Sequence, residues 1–100
     1  MLHPKFIITE KGELRLGRVR IHEDLIKKGE KDCYGGGYYE IDIINNVMLL
    51  YDESGDYGEP QWNVFETIKV SKAYRGLRIV YRTEKNVKQG EIEITNFCYV

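Results

Sequence analysis

The stretch Cys33-Tyr-Gly-Gly-Gly-Tyr-Tyr-Glu-Ile-Asp-Ile-Ile-Asn-Asn-Val-Met-Leu-Leu-Tyr-Asp-Glu-Ser-Gly-Asp-Tyr-Gly58 decides the fold class. It reads as a glycine-rich entry, a strand, a tight turn, a second strand and an acidic loop. Tyr38 to Ile43 and Val47 to Tyr51 are dominated by β-branched, aromatic and long apolar residues, the composition of strands. Asn45-Asn46 lies between them, and Asn suits a turn because it tolerates positive φ and bonds to its own backbone. The five residues Val47 to Tyr51 are all apolar or aromatic, which predicts a strand buried on both faces.

Outward from this hairpin the same rhythm repeats. Lys5 to Thr9 is a short strand with Phe6 and Ile8 on one face, and Glu10-Lys11-Gly12-Glu13 turns the chain into a second strand carrying Leu14, Leu16 and Val19. Gly17 breaks the alternation there and predicts a shift of phase. His22 to Lys28 predicts one or two helical turns closed by Gly29. Gln61 to Ile68 fits both helical and strand spacing; we read it as a short helix followed by an extended piece. Leu77 to Arg82 sets Leu77, Ile79 and Tyr81 against Arg78, Val80 and Arg82, the alternation of a strand with two different faces. Asn86 to Gly90 then turns the chain into Glu91 to Thr95, so that Glu91 and Glu93 are expected to pair across a hairpin with Arg78 and Arg82. The apolar end, Phe97 to Val100, is expected to pack into the sheet. The sum is a mainly β domain, with α+β as the variant: an antiparallel sheet or small barrel of about six strands in three hairpins, with one or two short helices.

One hundred residues, 42% of them hydrophobic, make a single domain spanning 1–100, large enough to bury roughly 60–70% of its extended-chain surface. No run has the length of a membrane helix or a signal peptide. Two cysteines, Cys33 and Cys98, are too few for a disulfide framework, so free thiols in a reducing cytoplasm are the expectation. The net charge of −1 conceals an asymmetry. Between Asp32 and Ile68 there are eight acids and no Lys or Arg, so the flanks, with all 15 basic residues and eight acids, sum to +7. Folding either interleaves the two signs or leaves part of the acidic field at the surface.

Few residues carry a chemical signature. Gly35-Gly36-Gly37 lacks the Gly-Lys-Ser/Thr that completes a phosphate loop and leads into a strand, so it reads as a bulge or a place where another group passes close. Asp52-Glu53-Ser54-Gly55-Asp56 begins like a calcium loop, but Tyr57 stands where Gly is needed and Asn63 where a bidentate Glu is needed. The two histidines and two cysteines have no zinc spacing. No metal or cofactor is therefore expected, and the chain is not expected to be an enzyme. The rival enzymatic reading is a small hydrolase using His22 with nearby carboxylates such as Glu23 and Asp24. Lys69, Lys72, Arg75, Arg78, Arg82, Lys85 and Lys88 form a basic segment interleaved with Tyr74 and Tyr81, the raw material of a nucleic-acid surface, although the net charge lacks the usual basic excess.

The motifs Gly-Gly-Gly-Tyr-Tyr-Glu-Ile-Asp (35–42), Leu-Leu-Tyr-Asp-Glu-Ser-Gly-Asp-Tyr-Gly (49–58) and Tyr-Arg-Gly-Leu-Arg-Ile-Val-Tyr (74–81) carry a resemblance that extends over about half the chain. Together they resemble a pattern in small bacterial proteins with no established activity. In size and style the chain is also similar to toxin-immunity proteins, a likeness of class that assigns no residue a role.

The reading that follows is a small protein-binding module, immunity- or inhibitor-like, that contacts a basic partner. Its expected contact residues are Asp52, Glu53, Asp56, Tyr57, Glu59 and Trp62: acids to attract a basic surface, rings to supply buried contact area. Nucleic acid bound through 69–88 is the alternative, no membrane partner is expected, and the sequence leaves the oligomeric state open.

Overall fold

A computed structural model describes residues 1–31, 33–51, 68–82 and 91–100. Six strands form one open, mostly antiparallel sheet that does not close into a barrel. In chain order they are β1 (His3–Thr9), β2 (Leu14–Val19), β3 (Cys33–Asp42), β4 (Val47–Tyr51), β6 (Arg78–Arg82) and β7 (Ile92–Ile94). The strands β5 (Ile68–Val70) and β8 (Phe97–Tyr99) pair with each other in a separate parallel ribbon. The order across the main sheet is β2-β1-β3-β4-β6-β7. The three expected hairpins are β1–β2, β3–β4 and β6–β7. They are joined by an antiparallel β1–β3 pair and a parallel β4–β6 pair.

The alternation of each strand sorts its side chains onto two faces. The inner face and the ribbon enclose the core: Phe6, Ile8, Leu14, Met48, Leu50, Ile68, Val70, Ile79, Tyr81 and Ile94. Phe97 and Tyr99 pack against it from the ribbon. The C-terminal stretch thus seals the core, but beside β5 and not within the main sheet. Val100 N–H donates to Val70 O at 2.9 Å, which ties it there.

Several expectations need correction. β4 is not buried on both faces: Met48 and Leu50 are sealed in the core, whereas Val47 and Leu49, on the outer face, are only half-buried. Gly17 does not shift the phase of β2, whose six residues from Leu14 to Val19 each have one partner in β1. A Cβ at Gly17 would lie 2.8 Å from Leu25 Cδ2, so this glycine serves a close approach. The helical stretch after β2 is a single 3₁₀ turn, His22–Leu25, and Gly29 follows with φ 93°. A second 3₁₀ turn, Lys72–Tyr74, is capped by the Ser71 side chain, which accepts from Ala73 N–H. The expected helix over 61–67 lies outside the described residues, while Ile68 onward is extended as anticipated. No helix among the described residues is long and apolar enough to cross a membrane.

Candidate functional site

The outer face of the sheet has two halves. Over β1, β2 and the start of β3 it is covered by the segment that follows β2. His22 is fully buried there, and its Nε2–H donates to Gly37 O at 2.9 Å. A carbonyl only accepts, so the shared proton belongs to the imidazole. The glycine stretch makes this docking possible. A Cβ at Gly36 would sit 3.1 Å from His22 Cδ2 and 2.7 Å from Phe6 O, and one at Gly37 would sit 2.3 Å from Tyr51 O. Pairing of β1 with β3 also slips beside these residues, between Ile8 and Thr9, leaving Tyr34 as the extra residue of a bulge. The segment is held further by Arg15, which donates to Leu25 O and grips Glu30 with both guanidinium arms, at 2.5 and 3.0 Å. That pair, with a bond from Lys27 N–H, holds the Glu30 carboxyl at about 2, well below the usual range.

A row of stacked groups marks the boundary. Lys5 is buried with its Nζ donating to Arg20 O at 2.7 Å and lying 5.8 Å from the centre of the Tyr38 ring. Tyr38 stacks on Tyr51 at 5.9 Å between centroids.

Beyond this row the described residues leave the outer face uncovered, and a groove of about 420 Å³ runs over β3, β4 and β6. Its floor is apolar: Val47, Leu49 and Val80, with Leu49 and Val80 directly opposite each other in register. Glu40 and Asp42 border it on the β3 side, and Arg78, Arg82 and Glu91 on the other. Arg78 Nε–H donates to Glu93 at 2.6 Å and Arg82 Nε–H donates to Glu91, as the alternation predicts. Glu93 keeps the Arg78 guanidinium firmly charged, its pKa raised.

At the end of the groove the β3–β4 connection, Ile43 to Asn46, is tightly specified. The Asp42 carboxylate accepts from Asn45 N–H at 3.1 Å and from Asn45 Nδ2 at 2.7 Å. These bonds lower the Asp42 pKa. Asn46 takes the left-handed conformation with φ 55°, and its carbonyl accepts from Arg78 N–H at 2.8 Å, anchoring the turn to β6. On this turn Ile43 and Ile44 are 79% and 92% exposed.

The charge asymmetry has a partial resolution. The ion pairs Arg15–Glu30, Arg78–Glu93 and Arg82–Glu91 join basic flank residues to acidic flank residues. Among the described residues, no Lys or Arg pairs with Asp42, which belongs to the acidic window.

The expected contact residues Asp52, Glu53, Asp56, Tyr57, Glu59 and Trp62 lie outside the described residues. So do Lys85 and Lys88 of the basic segment. Of the rest of that segment, Lys69 is half-buried in β5, Lys72 is exposed and Arg75 lies 5.3 Å from the centre of the Tyr99 ring. Arg78 and Arg82 are both engaged by acids. His22, proposed for a hydrolase, is sealed in the covered half while Glu23 and Asp24 are exposed. Cys33 is half-buried and Cys98 exposed, and neither is in a disulfide. Among the described residues no group of three or more His, Cys, Asp or Glu is placed to hold a metal ion. The open groove and the two exposed isoleucines were not anticipated. The signal available was the pair Ile43-Ile44 directly before a turn whose chemistry Asp42, Asn45 and Asn46 already supply. No family model, no curated protein and no solved structure matches this chain.

Proposed function

We propose that this chain is a small protein-binding module of the immunity or inhibitor kind, which engages a partner with a basic surface through the acidic window of its sequence. One observation carries the reading: a groove with an apolar floor has Glu40 and Asp42 along one side, and no Lys or Arg among the described residues pairs with Asp42. An apolar floor rewards burial, and an acidic border steers a cationic partner and disfavours phosphate. The groove is too shallowly enclosed for a small-molecule pocket, which encloses most of its ligand.

The residues Asp52, Glu53, Asp56, Tyr57, Glu59 and Trp62 follow β4 directly in the chain and belong to the same proposal on their sequence alone, as acids and rings suited to a hot spot. The test is an affinity pull-down from the native cell with quantitative mass spectrometry, using the wild type and the variants Glu40→Lys, Asp56→Lys and Trp62→Ala as bait. The reading expects one basic protein retained by the wild type and reduced by each variant. Retention of nucleic acid instead, lost when Lys72 and Arg75 are changed to Glu, would replace it with the alternative.

A further inference from the structure

The segment after β2, residues 21–30, is attached to the sheet differently from the strands. β1 is paired along its length with β2 on one side and β3 on the other. Among the described residues, by contrast, no backbone-to-backbone hydrogen bond joins 21–30 to the sheet. Side chains hold it instead. Lys5 Nζ donates to Arg20 O at its entrance, and His22 Nε2–H donates to Gly37 O along its course. Near its exit Arg15 donates to Leu25 O and to both Glu30 carboxylate oxygens. Of its apolar side chains only Leu25 is buried; Ile26 is half-buried and Ile21 is exposed. A single 3₁₀ turn with no side-chain N-cap gives the segment little shape of its own. Its ends suit a hinge: Ile21 is extended, and Gly29 has φ 93° with nothing within 4 Å of where a Cβ would stand. The segment can leave without breaking one ladder bond, and a region so attached opens at lower free energy than the sheet beneath it. Under it lie Ile7, fully buried on the outer face of β1, and Gly36, its partner in β3. Lifting the segment uncovers both.

We infer that residues 21–30 are a strap that opens as a unit while the sheet stays folded, with Arg15 as its latch, so that the outer face over β1 and β3 alternates between a covered and an uncovered form. The strap belongs to this chain alone and stands whether or not the protein-binding reading does.

His22 is its own reporter, because diethyl pyrocarbonate acylates an imidazole nitrogen and a sealed ring cannot react until the strap lifts. Its rate of modification is read by peptide mass spectrometry, with the exposed His3 as reference, while sub-denaturing urea is added stepwise. The wild type, Ile79→Val and Glu30→Gln are compared, and urea melts of each give the global unfolding constant. Ile79 lies in the core on the other face, so Ile79→Val should raise the unfolding constant several-fold. The rate at His22 should nevertheless stay within about twofold of wild type, since the open strap keeps that packing. Its urea dependence should be well below the full unfolding slope. Glu30→Gln, which removes charged hydrogen bonds made only by the closed strap, should raise the rate about tenfold or more. A rate at His22 that follows the unfolding constant in Ile79→Val, a full urea slope, a rate equal to that of His3, or a change within about twofold in Glu30→Gln would each overturn the inference. The wild-type urea slope decides alone if a variant fails to fold.

Discussion

The carbonyl oxygen of Gly37 accepts a hydrogen bond from Nε2–H of His22 at 2.9 Å, and this one contact divides the outer face of the sheet. It pins the segment after β2 over the first half of β3, where Gly17 and Gly36 provide the clearance. The half beyond Tyr38 and Tyr51 keeps its groove.

Gly37→Ala should destabilise the domain more than an ordinary surface change does. The new Cβ would stand 2.3 Å from a backbone oxygen of Tyr51, which cannot rotate away. Overpacking of this kind costs about 1–3 kcal/mol or more. Urea denaturation checks it: the midpoint should fall with the slope unchanged. A midpoint equal to wild type would mean that β3 and β4 are not in this register.

The two faces of β4 can be told apart by truncation. Leu50→Ala removes a fully buried side chain and should cost about 2–5 kcal/mol. Leu49→Ala, on the groove floor, should cost clearly less, because its side chain is only half removed from water. Equal losses in chemical denaturation would place a cover over the groove.

Glu30 predicts an acid-labile clasp. Its carboxyl is held at about 2 by Arg15 and by Lys27 N–H, below its value in the unfolded chain. A depressed carboxyl contributes stability above its unfolded pKa and loses it as pH falls through the folded one. Stability should therefore decline between the ordinary carboxylate range and about pH 2, and Glu30→Gln should flatten that part of the profile. Thermal melts of the two proteins across acidic pH make the comparison; parallel profiles would mean the Arg15–Glu30 pair contributes nothing.

Local rules made much of this fold legible. Period-two alternation located the three hairpins, and the Arg78 and Arg82 pairing with Glu93 and Glu91 follows from the same alternation. The glycines announced a close approach without naming its partner, because His22 lies 15 residues away from the carbonyl it meets. Two pairings left no local trace: β4 beside β6 and β5 beside β8 are parallel and distant in sequence, and parallel neighbours need no turn signal. The half-burial of Val47 and Leu49 was hidden for a related reason, since a run of five apolar residues says nothing about whether a second layer covers it. The acidic window contains Asp42, but the contact residues expected from it were Asp52, Glu53, Asp56, Tyr57, Glu59 and Trp62, which lie outside the described residues. The exposure of Ile43 and Ile44 could not be read there, because an apolar residue before a turn looks the same whether it ends in the core or in water.

The central claim is that a basic protein docks on the open acidic face, and amide chemical-shift mapping tests it most directly. The isotope-labelled domain is titrated with its purified partner and the perturbed residues are recorded. The account predicts the largest changes from Glu40 through Leu49 and along Arg78–Arg82, with His22–Leu25 undisturbed. Changes confined to Lys69–Arg75, or to the covered half around His22, would contradict it.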